Sequence, residues 1–220
     1  EIKYRRILLK LSGEALGGTA GTLDPTAVAA AARQIAALQR HGAQVGVVVG
    51  GGNIWRGRRS LSMERNRADH MGMLATAINA LALEDALEKL AVPVAALSAV
   101  SMQRFMDDYS ARAANRLLGE GKVVVFACGT GSPFFSTDTT AALRAAEVGA
   151  DVLLLAKNVD AVYSADPKTD PNAQRYDKLT YQQVIEGNLQ ATDLTAITMC
   201  REQRIPILVF AMKDGDAILR

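Results

Sequence analysis

No stretch of this 220-residue chain approaches the roughly 18 consecutive apolar residues of a membrane-spanning helix, so no membrane partner is expected. Charge of one sign is not in excess either. A formal net charge of +2 excludes strong general attraction to nucleic acid or to an anionic surface. Two cysteines, Cys128 and Cys200, lack metal spacing and read as reduced thiols of a cytoplasmic protein. Two histidines, His41 and His70, lie far apart, so no protein-borne metal site is expected. Three widespread signatures are also missing. Without G-x-x-x-x-G-K-[ST] the chain is not a P-loop kinase. Without G-x-G-x-x-G after a strand it is not an ordinary dinucleotide-binding fold, and without G-x-S-x-G it lacks a hydrolase nucleophile elbow. There is no internal repeat and no low-complexity segment.

What is present is a globular composition, 49% hydrophobic and 22% charged, long enough to bury a sizeable core. Strand-like and helix-like segments alternate, which predicts an α/β fold with a largely parallel sheet. Strands are predicted at Ile7–Leu11, Gln44–Val49, Val94–Leu97, Lys122–Ala127, Asp151–Ala156 and Pro206–Phe210. Helices are predicted from Pro25, capped by Asp24, to Arg40; from Arg67 to Leu90; and over Ser110–Leu118, Thr139–Val148 and Asp193–Arg204. Between Val159 and about Tyr181 the chain is polar and proline-punctuated, a loop or hairpin excursion rather than a linker. The start, Glu1 to Arg6, has no signal-peptide pattern and no initiator Met, so trimmed residues are expected there.

Polar or glycine-bearing turns follow five strand ends, at Ser12, Gly50, Ser98, Gly129 and Lys157. In an open parallel sheet these ends face one crevice, where ligands bind. The richest turn is Gly129-Thr130-Gly131-Ser132-Pro133-Phe134-Phe135-Ser136-Thr137-Asp138. There a strand, a glycine turn and a helix start meet, which aims backbone N–H groups and hydroxyls at one spot and suits a phosphate. Phe134 and Phe135 add a flat apolar surface for a base. Lys10, at the end of an aliphatic strand, reads either as a cation for a transferring phosphoryl group or as a solvated edge lysine. Gly50-Gly51-Gly52-Asn53 reads as a close approach to phosphate or as a plain turn. Of the arginines that follow, only Arg56, nearest the glycines, is singled out as a clamp. Asp69 either accepts from a sugar hydroxyl or caps its helix. Asp138 either caps its helix or orients Lys10. Tyr163, Asp160 and Asp166 either build turns or hold a nucleoside.

Lys10-Leu11-Ser12-Gly13-Glu14, Gly50 to Gly57, Asp69 to Thr76, Gly129 to Asp138 and Val159 to Pro167, taken together and in this order, resemble the bacterial-type UMP kinases of the amino acid kinase superfamily. The resemblance spans Ile7 to about Phe210, nearly the whole chain. It implies an αβα sandwich, transfer of the γ-phosphate of ATP to UMP with Mg²⁺, a role in pyrimidine nucleotide biosynthesis, a homohexamer built from dimers, and GTP and UTP as effectors. It implies a single domain over 1–220, with the acceptor part roughly in 1–150 and the ATP part roughly in 151–220 plus the loops near 10–14 and 50–56. By residue, it places Lys10, Ser12, Gly13, Glu14, Gly52 and Arg56 at the ATP phosphates. Lys157 or Asn158, with Tyr163 and Asp166, is placed at the adenine nucleotide. Gly51, Asp69, Thr130, Gly131, Ser132, Pro133, Phe134, Phe135, Ser136 and Thr137 are placed at UMP. Asp138 and Asp193 match acidic positions beside the reacting phosphates, with Lys10 and Arg56 as the catalytic cations.

The chain departs from the family in places. Ser132 stands where Asn is frequent and Ala161 where Gly is usual, and Met102 to Ala113 follows the pattern poorly. Val94–Leu97 lacks the polar residues tied there to effector response, which weighs against activation by GTP. The family continues beyond the position of Arg220 with a short strand, so further residues are expected. Two other readings share part of this pattern. A kinase of carbamate, acetylglutamate or aspartate would share the phosphate end, but Pro133-Phe134-Phe135 suits a base better than a small acid. A non-catalytic nucleotide sensor on the same scaffold would not need Lys10, Arg56 and Asp138 together.

Overall fold

After its first residue, strand β1 (Arg6–Leu11) is an aliphatic run broken only by Lys10, because it lies inside a sheet covered on both faces. In the computed structural model, which describes residues 3–18, 22–55, 63–157, 160–167, 169–189 and 192–211, β1 pairs in parallel on both sides. Its neighbours are β2 (Gln44–Val49) and β6 (Val152–Lys157), so Lys10 stands level with Val48 and Leu155. The sheet is completed by β3 (Val94–Ser98), β4 (Asp107–Asp108), β5 (Val123–Ala127) and β9 (Ile207–Ala211). Its order is β4-β3-β5-β2-β1-β6-β9, and every pairing in it among the described residues is parallel.

Alternation along the strands divides the core. Ile7, Leu9 and Leu11 face one side, with Val45, Val47 and Val49. There they pack against α2 (Pro25–Arg40) and α3 (Arg65–Lys89), through Ile35, Leu83 and Leu87. Leu8, Val48, Phe126, Leu153 and Leu155 face the other side. They pack against α4 (Ala111–Gly119), α5 (Thr137–Val148) and α7 (Leu194–Gln203). The result is the expected αβα sandwich.

The capping chemistry explains most helix starts. Asp24 accepts from Thr26 N–H at 2.8 Å with Pro25 at the first position, as the sequence predicts. Helix α3 begins two residues before the predicted Arg67. Its cap is Glu64, whose carboxylate accepts from Asn66 and Arg67 N–H at 2.9 and 3.1 Å. Asp69 is therefore not the cap; it sits inside the helix. Helix α5 likewise starts at Thr137 with Ser136 as cap, so Asp138 is free for another role. Three short elements escape the pattern reading: α1 (Glu14–Gly17), α6 (Tyr181–Glu186) and the two-residue β4. The polar excursion after β6 contains an antiparallel hairpin of β7 (Val162–Tyr163) and β8 (Arg175–Tyr176). Among the described residues no helix is long and apolar enough to cross a membrane.

Candidate active site

Parallel pairing brings the carboxyl ends of β1, β2, β5 and β6 to one edge of the sheet, where they floor a cleft of about 780 Å³. Lys10, Gly52, Asp69, Thr130, Asp138 and Lys157 line it. The turn after β3, at Ser98, does not line the cleft; Ala99 instead packs beneath Gly131.

At the floor, Lys10 Nζ lies 2.9 Å from Asp138 Oδ1, and Lys157 Nζ lies 3.7 Å from Asp138 Oδ2. All three side chains are less than a quarter exposed, so their charges interact with little screening. Thr192 donates its hydroxyl to Asp138 Oδ2 at 2.7 Å. Burial by itself would raise the Asp138 pKa, but Lys10 and Lys157 outweigh it and hold the carboxyl below its usual value. Lys157 is pulled below the usual lysine value, chiefly by burial and also by repulsion from Lys10, with Asp138 opposing. Because β1 is interior to the sheet, Lys10 is not an edge lysine, and Asp138 orients it across the cleft.

Two helix N-termini meet beside this group. Asp193 caps α7 through Ala196 N–H at 2.8 Å. The same carboxylate accepts from Thr139 Oγ1 at 3.0 Å and from the Ser136 hydroxyl, so it fastens the start of α7 to the start of α5. Their dipoles both favour an anion in the cleft.

The turn after β5 forms the opposite wall. Cys128 and Gly129 have φ of 63° and 59°, and Gly131 N–H closes the turn on Cys128 O at 2.9 Å. Phe134, at φ 74°, donates its N–H to Asp69 Oδ2 at 2.8 Å. Arg65 pairs with the same oxygen at 2.8 Å and lies 5.2 Å from the centre of the Phe134 ring. Of the two phenylalanines, Phe135 lines the cleft, whereas Phe134 lies under Arg65.

The glycines after β2 are needed for chain packing as much as for a ligand. A Cβ on Gly51 would come within 2.8 Å of Ala75 Cβ and Gly72 O in α3, and one on Gly13 within 2.7 Å of Gly52 N. The turns after β1 and β2 therefore lie against each other. Ser12 and Glu14 flank this junction, and Glu14 is exposed at the start of α1. Tyr163 donates its hydroxyl to Asp160 at 2.7 Å, and Asp166 is exposed on the same hairpin segment; neither lines the cleft. Arg56 and Asn158 lie outside the described residues.

Several site residues escaped sequence reading. Asn79 is fully buried; it donates to Gly50 O at 2.7 Å and trades amide hydrogen bonds with Asn53. Its signal was a polar residue on the apolar stripe of a helical pattern. Thr76 on the same helix accepts from Cys128 N–H at 2.7 Å. Thr192 carried no local signal. Among the described residues there is no cluster of three His, Cys, Asp or Glu side chains suited to a metal ion.

Comparison with known proteins agrees with this geometry. The Amino acid kinase family matches residues 5–211. The fold is similar to that of the UMP kinase from Ureaplasma parvum (TM-score 0.93, 40% identity, 99% of this chain and 94% of that one). It is similar to the UMP kinase from Bacillus anthracis (TM-score 0.93, 34% identity, 96% and 88%). The uridylate kinase from Archaeoglobus fulgidus is also similar (TM-score 0.71, 31% identity, 93% and 90%).

Proposed function

The chain belongs to the amino acid kinase family, and we propose that it is a UMP kinase, which moves the γ-phosphoryl group of ATP to UMP and gives UDP and ADP. The observation that carries this reading is Asp138 held between Lys10 and Lys157, where two helix N-termini and the Gly129–Asp138 turn converge. Phosphoryl transfer needs positioning and charge neutralisation more than a covalent nucleophile. The UMP phosphate is itself the nucleophile and is largely dianionic at neutral pH, with a second pKa of about 6, so no strong base is required.

Lys10 neutralises the charge that develops on the transferring group, and Asp138 holds its ammonium in place. Lys157 adds a second cation, and the same role is assigned to Arg56. Asp193 keeps the two helix N-termini aligned on the phosphates. To the ATP phosphates we assign Ser12, Gly13, Glu14 and Gly52, and to the adenine nucleotide Lys157 or Asn158 with Tyr163 and Asp166. Gly51, Asp69 and the run Thr130 to Thr137 take UMP, with Phe135 as the apolar wall. Among the described residues the carboxylates at the cleft floor are already engaged, Asp138 by lysines and Asp193 by hydroxyls. That donor set suits Mg²⁺ carried by the nucleotide's own phosphates, where it spreads their charge, rather than a protein cage. On this reading residues 1–220 work as one domain, its acceptor part in roughly 1–150 and its ATP part in roughly 151–220.

We place the enzyme in cytoplasmic pyrimidine nucleotide biosynthesis, as a homohexamer built from dimers with GTP or UTP as effector, the apolar Val94–Leu97 strand weighing against activation by GTP. The exposed apolar side chains Leu74 and Ile78 on α3 support self-association. The test is ADP release with UMP, CMP, dCMP, acetylglutamate and carbamate as acceptors. UMP is expected to support turnover best. Turnover with only the small acids would assign the chain to another branch of the family, and turnover with none would make it a nucleotide sensor.

A further inference from the structure

Arg144 is 3% exposed on the inner face of α5, among alanines. It does not line the cleft. Its Nη1 donates to Glu147 Oε2 at 2.6 Å, its Nη2 donates to Gly129 O at 3.0 Å, and the Tyr109 ring lies 3.7 Å from its Cζ. Tyr109 donates its hydroxyl to the same Glu147 carboxylate and sets its ring edge-on to Phe126, with centroids 5.7 Å apart. Burying a guanidinium strips its hydration, and an aliphatic residue would fill this space without that cost.

The feature that uses the cation is the turn it touches. Cys128 carries a Cβ in the left-handed region, which only neighbouring contacts can hold there. Thr76 of α3 fixes its N–H, and Arg144 of α5 fixes the carbonyl one residue on. These are the same two helices that carry Asp69 and Asp138. Because the fork of a guanidinium can reach Gly129 O and Glu147 together, one side chain registers the turn against the last turns of α5.

We propose that Arg144 is a positioning residue for the acceptor nucleotide: it fixes the left-handed Cys128–Gly129 pair from which Thr130 to Thr137 run along the cleft. This rests on the reading that those residues hold UMP. UMP turnover by the wild-type protein is therefore measured first, and its absence overturns that reading and this inference with it. Given turnover, Arg144→Lys, which keeps the charge but not the fork, raises the UMP KM about tenfold and leaves the ATP KM within about twofold. Glu147→Gln, which keeps Arg144 but weakens its hold, raises the UMP KM by a smaller factor and spares the ATP KM. If Arg144→Lys does not fold, Glu147→Gln decides the matter alone. An unchanged UMP KM in the folded variants, or an equal rise in both KM values, overturns the positioning role and leaves Arg144 a packing residue.

Discussion

The carboxylate of Asp69 accepts the backbone N–H of Phe134 at 2.8 Å across 65 residues of sequence. The second turn of α3 is thereby tied to the wall assigned to the acceptor. Asp69→Asn keeps the shape but removes the charge from this bond and from the Arg65 pair. Bonds to charged groups contribute about 1.5–3 kcal/mol. A rise in the UMP KM of about 10- to 100-fold is expected, with the ATP KM little changed. Steady-state kinetics with each substrate varied in turn check this, and equal changes in both would contradict it.

Removing charge at the cleft floor should act on turnover. Lys10→Met deletes the cation facing the transferring group, and a loss of about 10²–10³ in kcat is expected. Asp138→Asn leaves Lys10 and Lys157 without their shared anion, so a loss of similar size is expected, with ATP binding retained. Near-normal turnover in both variants would sink the assignment.

Acid and alkali should report on the same group in opposite senses. The folded-state pKa of Asp138 lies below its unfolded value, so its contribution to stability is full above the unfolded pKa. It is lost as pH falls through the lower folded value. Lys157 is also lowered in the folded state, so its charged form costs stability at neutral pH. That cost is relieved as pH rises through the folded pKa. Melting curves against pH should therefore be flatter in acid for Asp138→Asn than for the wild type. The alkaline loss of activity should begin below the ordinary lysine pKa of about 10.4 and move upward in Lys157→Arg.

Asp193 combines a cap with a link between helices, and substitution should separate these from its charge. Asp193→Ala loses the cap, about 1 kcal/mol, or a fall in Tm of roughly 2–4 °C for a chain of this size. Asp193→Asn can still cap, so its Tm should stay near that of the wild type while kcat falls about tenfold or more. Full activity in Asp193→Asn would reduce the residue to a structural role.

Both cysteines are buried, and burial pushes the Cys200 thiol up to about 12. Iodoacetamide at neutral pH should label neither thiol in the native protein and both after denaturation. Rapid native labelling of Cys200 would show that α7 does not pack as described.

The αβα architecture was legible because interior strands such as β1 and β5 leave nearly continuous apolar runs, each closed by glycine or polar residues. Lys10 was legible for the same reason, because a charge at the end of such a run needs a partner; Asp138, at a helix start, left cap and Lys10 partner both open until α5 proved to be capped by Ser136. Asp69 was half legible, since nothing local shows that Glu64, three residues before the predicted start at Arg67, caps the helix. Arg144, Asn79 and Thr192 act through contacts with residues distant in sequence, so no spacing rule marks their roles. The small elements α1, α6 and β4 are too short to display a period.

The sheet order also fixes when the site can exist. β1, made before the other described strands of the sheet, has β2 on one side and β6 on the other, and β6 begins only at Val152. During synthesis β1 therefore keeps one long apolar edge unpaired until most of the chain has emerged, a window open to mispairing and aggregation. Lys10 waits through the same window for Asp138 and Lys157. Recovery of the ion triad after dilution from denaturant should lag behind collapse, because parallel pairing across such separations is slow. Activity in this protein is thus a late reporter of folding, gained only when the first strand has been enclosed by the sixth.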